Sequence, residues 1–223
     1  MIVIKLLVAM IIGYLLGSIP FGVIVSKLQA KVDIRNYGSG RTGGTNVLRT
    51  LGRKAFVLVV AGDLLKAAVA VLLAGWIMGD SYFTIGHITL GYAAARAIVG
   101  ICAIMGHIFP IFARFKGGRG VATFIGGLAA IHPVAALFGS EVLIIGAGLS
   151  GFASLGSLIS VFSAYALMIL LTVIYGVPFE YLIYTLFGTI IIVIAHRDNI
   201  KRLLAGKERK LNQKTAPDSS ATP

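Results

Sequence analysis

Charge is what this chain has least of. Only 13% of its 223 residues are Asp, Glu, Lys or Arg, about half the density of a soluble domain. Hydrophobic residues make up 57%, and the mean hydropathy is +0.93. That composition excludes most soluble classes and leaves a polytopic membrane protein that uses hydrocarbon as its solvent. Acidic residues are scarcest: eight stand against twenty Lys and Arg, a formal net charge of +12. Either the ligand is anionic or the cations orient the chain, and both can hold. Cys102, the one cysteine, lies in an apolar run, where it can form no intrachain disulfide and has no second thiol to share a metal. No His, Cys or carboxylate cluster offers ligands, so neither a metal nor another cofactor is expected. Nucleic acid is not an expected partner.

What is abundant is long apolar sequence. A helix needs about 20 mostly apolar residues to cross about 30 Å of hydrocarbon. About seven runs qualify or come close: residues 1–27, 55–78, 85–112, 121–139, 141–155, 158–175 and 178–195. The expected fold is all-α with about seven transmembrane helices. The first run has Lys5 ahead of an apolar stretch, like a signal peptide, but it is too long for such a segment and no small-residue cleavage site follows. It reads as a first span.

The cations are grouped. Seven lie between the first two runs, three at Arg114, Lys116 and Arg119, and seven after the last run, 17 of the 20. The connections around Gly79, Ser140 and Gly176 have none. Positive residues stay on the cytoplasmic side, so the N-terminus is expected outside and the C-terminus in the cytoplasm, which requires an odd number of spans. Residues 1–210 read as a single transmembrane domain, and 211–223, rich in Ser, Thr, Pro and Ala, as a disordered cytoplasmic tail.

Three cytoplasmic segments mix cations with Gly, Ser, Thr and Asn. The first contains Gly38, Ser39, Gly40, Arg41, Thr42, Gly43, Gly44, Thr45, Asn46 and Arg49. Its glycines allow close backbone approach, and its hydroxyls, amides and guanidinium groups can donate to phosphate oxygens. Thr45 or Asn46 could cap a helix through Arg49; the alternative is a flexible loop whose arginines only orient the chain. The second holds His107 and then Lys116, Gly117, Gly118, Arg119, Gly120 and Thr123 ahead of an apolar run, an arrangement suited to phosphate at a helix start, against a generic basic turn. No Walker A sequence occurs. The third runs from His196 through Asn199 to Glu208, with His196 and Asn199 on one helical face, against a juxtamembrane helix bound to anionic lipid. Ser154 and Ser157 flank a cation-free turn, where small residues also serve helix packing. Within the spans, Asp63 and Lys66 are spaced for a structural ion pair, and Arg96 can snorkel or face the site.

These three motifs, with Gly17-Ser18-Ile19-Pro20-Phe21-Gly22 and Asp63-x-x-Lys66, resemble the bacterial acyl-phosphate-dependent glycerol-3-phosphate acyltransferase family (PlsY) over about residues 1–210. The resemblance implies a seven-span membrane enzyme of the bacterial inner membrane with a cytoplasmic site. It would move a fatty acyl group from acyl phosphate to the 1-hydroxyl of sn-glycerol 3-phosphate, giving lysophosphatidic acid and phosphate in phospholipid synthesis. It assigns Ser39, Arg49, His196 and Asn199 to catalysis. Gly38, Gly40, Thr45, Asn46, Lys116, Gly117, Gly118, Arg119, Gly120, Thr123, Ser154 and Ser157 would bind substrate, with Glu208, Asp63 and Lys66 in support. Membrane lipids and, through the basic face, the acyl-phosphate-forming enzyme are the implied partners. Departures from the family pattern are Arg41 for Asn, Gly44 for Ala, Arg119 for Lys and Asp198 for Glu. Arg119 keeps the charge and can bind phosphate in a bidentate way, whereas Arg41 adds charge and bulk inside the glycine-rich loop.

The chemistry suits such residues. Acyl phosphate is already activated, so what must be supplied is positioning, neutralisation of phosphate charge and donors for the developing oxyanion. No His-x-x-x-x-Asp pattern follows His87, His107, His132 or His196, so proton transfer to the donor's own phosphate is expected, with His196 as a positioning donor. The rival reading is a transporter for anionic solutes, which would need cations near the midplane; only Lys66 and Arg96, with Asp63, could line such a path. A third is a noncatalytic lipid-binding or scaffold protein, against which the intact polar motifs count.

Overall fold

The computed structural model describes residues 2–85 and 88–214. Helices dominate: α1 (Ile2–Gly17), α2 (Phe21–Ala30), α3 (Gly44–Leu51), α4 (Arg53–Met78), α5 (Tyr92–Ile108), α6 (Val121–Ile131), α7 (Pro133–Ser150), α8 (Ala153–Tyr175), α9 (Phe179–Ala195) and α10 (Arg197–Leu204). Among the described residues five helical stretches are long and apolar enough to cross a membrane, and α9 with α10, bent by 62°, makes a sixth. Helix α6 has only 11 residues, about 16 Å of rise, too short to cross alone.

Several boundaries differ from the expected ones. The first run breaks into α1 and α2 at Pro20, which lacks the N–H to continue the ladder. The start of the third run is a hairpin, with β1 (Phe83–Ile85) antiparallel to β2 (Ile88–Leu90) and Thr84 opposite Thr89; alternating Ile and Thr favour strand over helix. The connection expected at Ser140 is instead at His132–Pro133. Pro133 opens α7 at a position that needs no N–H, and His132 Nδ1 accepts the Ala135 N–H at 3.3 Å. Ser140 lies within α7 and bonds the Ala136 carbonyl. The turn expected at residues 155–157 comes at Gly151, whose positive φ of 75° ends α7. Leu211, placed in the tail, donates to the Gly151 carbonyl at 2.7 Å. Residues 215–223 lie outside the described residues.

Large apolar side chains cover the outside. Val57, Leu65, Val69 and Leu72 of α4 and Phe162, Leu170 and Val173 of α8 are all exposed, the reverse of a soluble helix. Small residues pack inside: Ala9, Ala67, Ala70, Ala74 and Ala103 form one cluster between α1, α4 and α5. Without a hydrophobic gradient between lipid and protein, close backbone approach supplies the packing. A second cluster centres on Phe124 and Tyr184, whose rings stack at 5.5 Å while the Tyr184 hydroxyl donates to the Phe124 carbonyl at 2.7 Å. Arg96 neither snorkels nor reaches the motif segments. Its buried guanidinium lies over the Tyr92 and Tyr181 rings, 5.0 and 5.8 Å from their centroids, and donates to the Ala130 carbonyl in the last turn of α6. A cation there complements the helix C-terminus.

Candidate active site

In the first glycine-rich segment Gly38 and Gly40 adopt positive φ of 59° and 66°, the turn geometry that needs glycine. One side chain organises the loop. Asn46, buried in the first turn of α3, donates from Nδ2 to the carbonyls of Ile34, Tyr37 and Arg41 and accepts the Ser39 N–H at 3.1 Å. Its hydrogen-bonding capacity is thus spent on backbone. Neither Thr45 nor Asn46 caps α3, which begins at Gly44 with Gly43 in the cap position. Arg49 donates to the carbonyls of Lys210 and Arg209 at 3.1 and 2.8 Å, fastening the C-terminal segment to α3.

The second segment is held against the first and against the core. A Cβ on Gly43 would lie 3.8 Å from the Gly118 Cα. The Gly118 N–H donates to the His107 carbonyl at 3.1 Å, and a Cβ on Gly118 would collide with the His107 ring. Arg35, paired with Asp33 at 2.6 Å, donates to the Ala113 carbonyl at 3.0 Å and ties the two loops together. Beneath them Lys66 Nζ lies 2.7 Å from Asp63 Oδ1, the expected ion pair, 3.0 Å from His107 Nδ1 and 2.8 Å from the Ile19 carbonyl. Lys66 is 13 residues into α4, about 20 Å along that helix from its start, whereas Gly44 packs on Phe56 and Val60 nearer that start. Lys116 is exposed, Gly117, Gly118 and Gly120 are buried, and Arg119 is half-buried. Thr123, on the first turn of α6, is fully buried, and its Oγ1 has no hydrogen-bond partner among the described residues.

The third segment turns at His196, between α9 and α10. Its Nδ1 lies 2.8 Å from the Ile192 carbonyl, so Nδ1 carries the hydrogen and Nε2 the lone pair. His196 is therefore an acceptor, not the positioning donor expected from sequence. Glu208 gathers three donors: Asn199 Nδ2 at 2.7 Å, Arg202 Nε at 2.8 Å and Ser154 Oγ at 3.0 Å. Burial alone would raise the Glu208 carboxyl, but those bonds outweigh it and hold it below its ordinary value. Ser157 stays on its own helix, bonded to the Ala153 carbonyl.

Charge knits the segments together. Arg119 is pushed down to about 10, first by burial and then by the fields of Arg41, Arg202 and Arg49, with Glu208 opposing. His196 is pushed down to about 4 by burial, with Arg119 and Arg41 adding to it. Arg49 is lowered by burial and by Arg209 and Arg202 against Glu208. Four guanidinium groups thus share one neighbourhood with a single carboxylate, already paired to Arg202. Among the described residues Arg119 Nε, Thr123 Oγ1 and Asn199 Oδ1 are buried polar atoms without a hydrogen-bond partner. Of the sequence-predicted residues, Arg49, Arg119, His196, Asn199, Ser154 and Glu208 come together. Ser157 does not join them, and Asn46 acts through the loop backbone. Arg202 was missed as a site residue, although its i+3 spacing from Asn199 is the signal that would have found it. Arg35 was missed without any such signal.

Fold and site together define a multi-pass helical membrane protein with a cationic site built by three polar segments. The family model described as glycerol-3-phosphate acyltransferase matches residues 7–206. "Glycerol-3-phosphate acyltransferase 3" of Dehalococcoides mccartyi (strain ATCC BAA-2266 / KCTC 15142 / 195) is 59% identical over 96% of this chain and 100% of its own length. The crystal structure of PlsY, an integral membrane glycerol 3-phosphate acyltransferase, in its glycerol 3-phosphate form is similar at a TM-score of 0.78 and 37% identity. That match covers 92% of this chain and 94% of the other. The lysophosphatidic acid form matches at 0.75 and 36% over the same shares. The chain belongs to the glycerol-3-phosphate acyltransferase family of PlsY, a family of integral membrane acyltransferases.

Proposed function

We propose that this chain transfers a fatty acyl group from acyl phosphate to the 1-hydroxyl of sn-glycerol 3-phosphate at the cytoplasmic face of the bacterial inner membrane. The observation that carries this reading is the cluster of Arg41, Arg49, Arg119 and Arg202 around one carboxylate. Its excess positive charge suits two phosphate-bearing substrates at once. Arginine suits phosphate because its planar fork donates in pairs, and a site beside hydrocarbon can receive a donor whose acyl tail stays in the membrane.

Two neutral acceptors complement the cations. Asn199 has its amide nitrogen committed to Glu208, so Oδ1 is the end without a partner among the described residues. With Nδ1 committed to the Ile192 carbonyl, the lone pair of His196 is on Nε2. Phosphate oxygens of dianionic substrates cannot donate to them, but the hydroxyls of a glycerol unit can. In the proposed reaction the 1-hydroxyl oxygen bonds to the acyl carbon and the acyl carbon–phosphate oxygen bond breaks. The hydroxyl proton passes to the departing phosphate. A His196 whose basicity is this low serves to orient the hydroxyl by accepting its hydrogen bond. Lys116, Gly117, Gly118, Arg119, Gly120 and Thr123 hold phosphate, while Ser39 and Thr45 border the glycine-rich loop that Asn46 shapes.

Orientation follows from the cation distribution. The proposed orientation, with the N-terminus outside and the C-terminus cytoplasmic, takes the short α6 as a seventh crossing beside the six stretches long enough to span. Exposed Trp76, Tyr92 and Tyr175 lie at the cation-poor ends of their helices, and exposed Tyr82 in the connection after α4, as an outer interfacial belt would. The single domain reaches about residue 210, and the basic face is where the acyl-phosphate-forming enzyme would dock. The test is purified protein with glycerol 3-phosphate and either acyl phosphate or acyl-CoA. Lysophosphatidic acid from acyl phosphate alone is expected, and no product from either donor would sink the reading.

A further inference from the structure

Four arginines share the site, but they are not equally free to hold a ligand. Arg49 commits Nε and Nη2 to the carbonyls of Lys210 and Arg209, and Arg202 commits Nε to Glu208. Among the described residues the guanidinium groups of Arg41 and Arg119 make no hydrogen bond or ion pair. The backbone around half-buried Arg41 is nevertheless fixed on both sides. Gly40, with its φ of 66°, donates to the Tyr37 carbonyl at 3.0 Å, and the Arg41 carbonyl accepts Asn46 Nδ2 at 2.9 Å. Thr42 is buried, and its carbonyl lies where a Cβ on Gly22 would collide with it.

Two residues beyond Arg41, Gly43 meets Gly118, and Arg119 follows Gly118. The two uncommitted arginines therefore flank the contact between the glycine loops. Their fields agree with that placement. After burial, Arg41 is foremost among the charges that depress Arg119, and it acts on His196 as well. Glu208, the carboxylate of this cluster, is already taken by Asn199, Arg202 and Ser154. Two guanidinium groups held near each other without an anion repel, more so where burial weakens the screening by water. A dianion between them would turn that repulsion into attraction, and each planar fork can present two N–H groups to it. We propose that Arg41 and Arg119 close as a pair on one phosphate dianion at the junction of the two glycine loops, so that Arg41 binds substrate directly and the empty site is held at a cost in stability. This rests on the reading of the cationic cluster as a phosphate site. Donor, acceptor and released inorganic phosphate all carry the group in question.

The full-length protein in detergent is melted over a range of inorganic phosphate concentrations, beside Arg41→Gln and Arg53→Gln. Arg53 is an exposed cation at the start of α4, and its loss controls for a general change of charge. Arg41→Gln removes one of two repelling charges and no hydrogen bond, so without phosphate it should melt at or above the temperature of the unsubstituted protein. Its phosphate affinity, read from the rise in melting temperature with phosphate, should be weakened roughly ten- to a hundredfold. Arg53→Gln should leave that affinity unchanged. In initial-rate assays KM should rise by a similar factor for the substrate whose phosphate the pair holds. A rise for acyl phosphate assigns the pair to the donor, and a rise for glycerol 3-phosphate assigns it to the acceptor. Phosphate affinity of Arg41→Gln equal to that of the unsubstituted protein overturns the proposal, as does an equal loss in Arg53→Gln. An unsubstituted protein whose melting ignores phosphate overturns it too. So does an Arg41→Gln protein that melts lower without phosphate, which would make the side chain a structural one. Absence of acyl transfer in the unsubstituted protein would count against the enzyme reading, while the phosphate melts would still judge Arg41.

Discussion

Asn199 Nδ2 donates to Glu208 Oε1 at 2.7 Å, and this one bond decides which end of the amide has no partner among the described residues. Glu208 also accepts from Arg202 and Ser154, so its carboxylate sets the direction of three side chains at the site. In Glu208→Gln the new amide can keep an acceptor for only some of them and presents N–H to a donor. Hydrogen bonds to a charged group are worth about 1.5–3 kcal/mol, so initial-rate assays should show transfer reduced roughly ten- to a hundredfold. Ser154→Ala removes one of the three donors and leaves the carboxylate paired with Asn199 and Arg202, so it should cost less than Glu208→Gln.

The state of His196 gives a pH prediction with a definite sign. Its folded value of about 4 lies below the ordinary 6.5, chiefly through burial and then through Arg119. Between those values the unfolded chain binds more protons than the folded one. Stability from this group is therefore fully present above about pH 6.5 and is lost as pH falls through about 4. The pH–rate profile should show no inflection near 6.5 from His196, and its NMR titration should fall well below that value. Arg41→Asn, which removes one of the depressing charges, should move the titration upward. A His196 that titrated at 6.5 in the unsubstituted protein would contradict the cationic environment described for it.

How legible was this in the sequence? The membrane class, the long runs and the three polar segments were visible because hydropathy and charge are properties of consecutive residues. Asp63 and Lys66 were predicted as a pair because i and i+3 share a helical face. Their third partner, His107, comes from another helix and has no sequence spacing that announces it. The break at Pro133 was displaced to Ser140 because residues 121–155 are apolar on both sides of the proline, so periodicity offered no boundary. The roles of Asn46 and His196 depend on which atom of a side chain faces which carbonyl. Sequence identifies such residues, but only the packed backbone orients them.

The buried pair should behave as a unit. Lys66 and Asp63 are each nearly inaccessible and lie 2.7 Å apart. Removing either leaves the other as an unpaired buried charge, which costs about 3–5 kcal/mol. Lys66→Met and Asp63→Leu should each lower the melting temperature sharply, while the double variant should regain most of the loss. Thermal unfolding of all four proteins in one detergent closes the cycle. Losses that simply add would mean that the two charges do not interact.

Glycines at close approaches and glycines in open space should respond in opposite directions. A Cβ at Gly118 would strike the His107 ring, which Lys66 and Asp63 hold in place and which cannot swing aside as the end of a flexible side chain could. Overpacking of this kind costs about 1–3 kcal/mol, and here the displaced backbone is the loop that carries Arg119. Gly118→Ala should therefore lose acyl transfer out of proportion to its loss of stability. Gly148, within α7, has nothing within 4 Å of its Cβ position. Replacing a helical glycine by alanine in such a place stabilises by about 0.5–1 kcal/mol, so Gly148→Ala should raise the melting temperature slightly and leave transfer unchanged. Parallel activity and melting measurements on the two variants check both outcomes, and equal effects at the two positions would mean that Gly118 is not a packing-critical element of the loop.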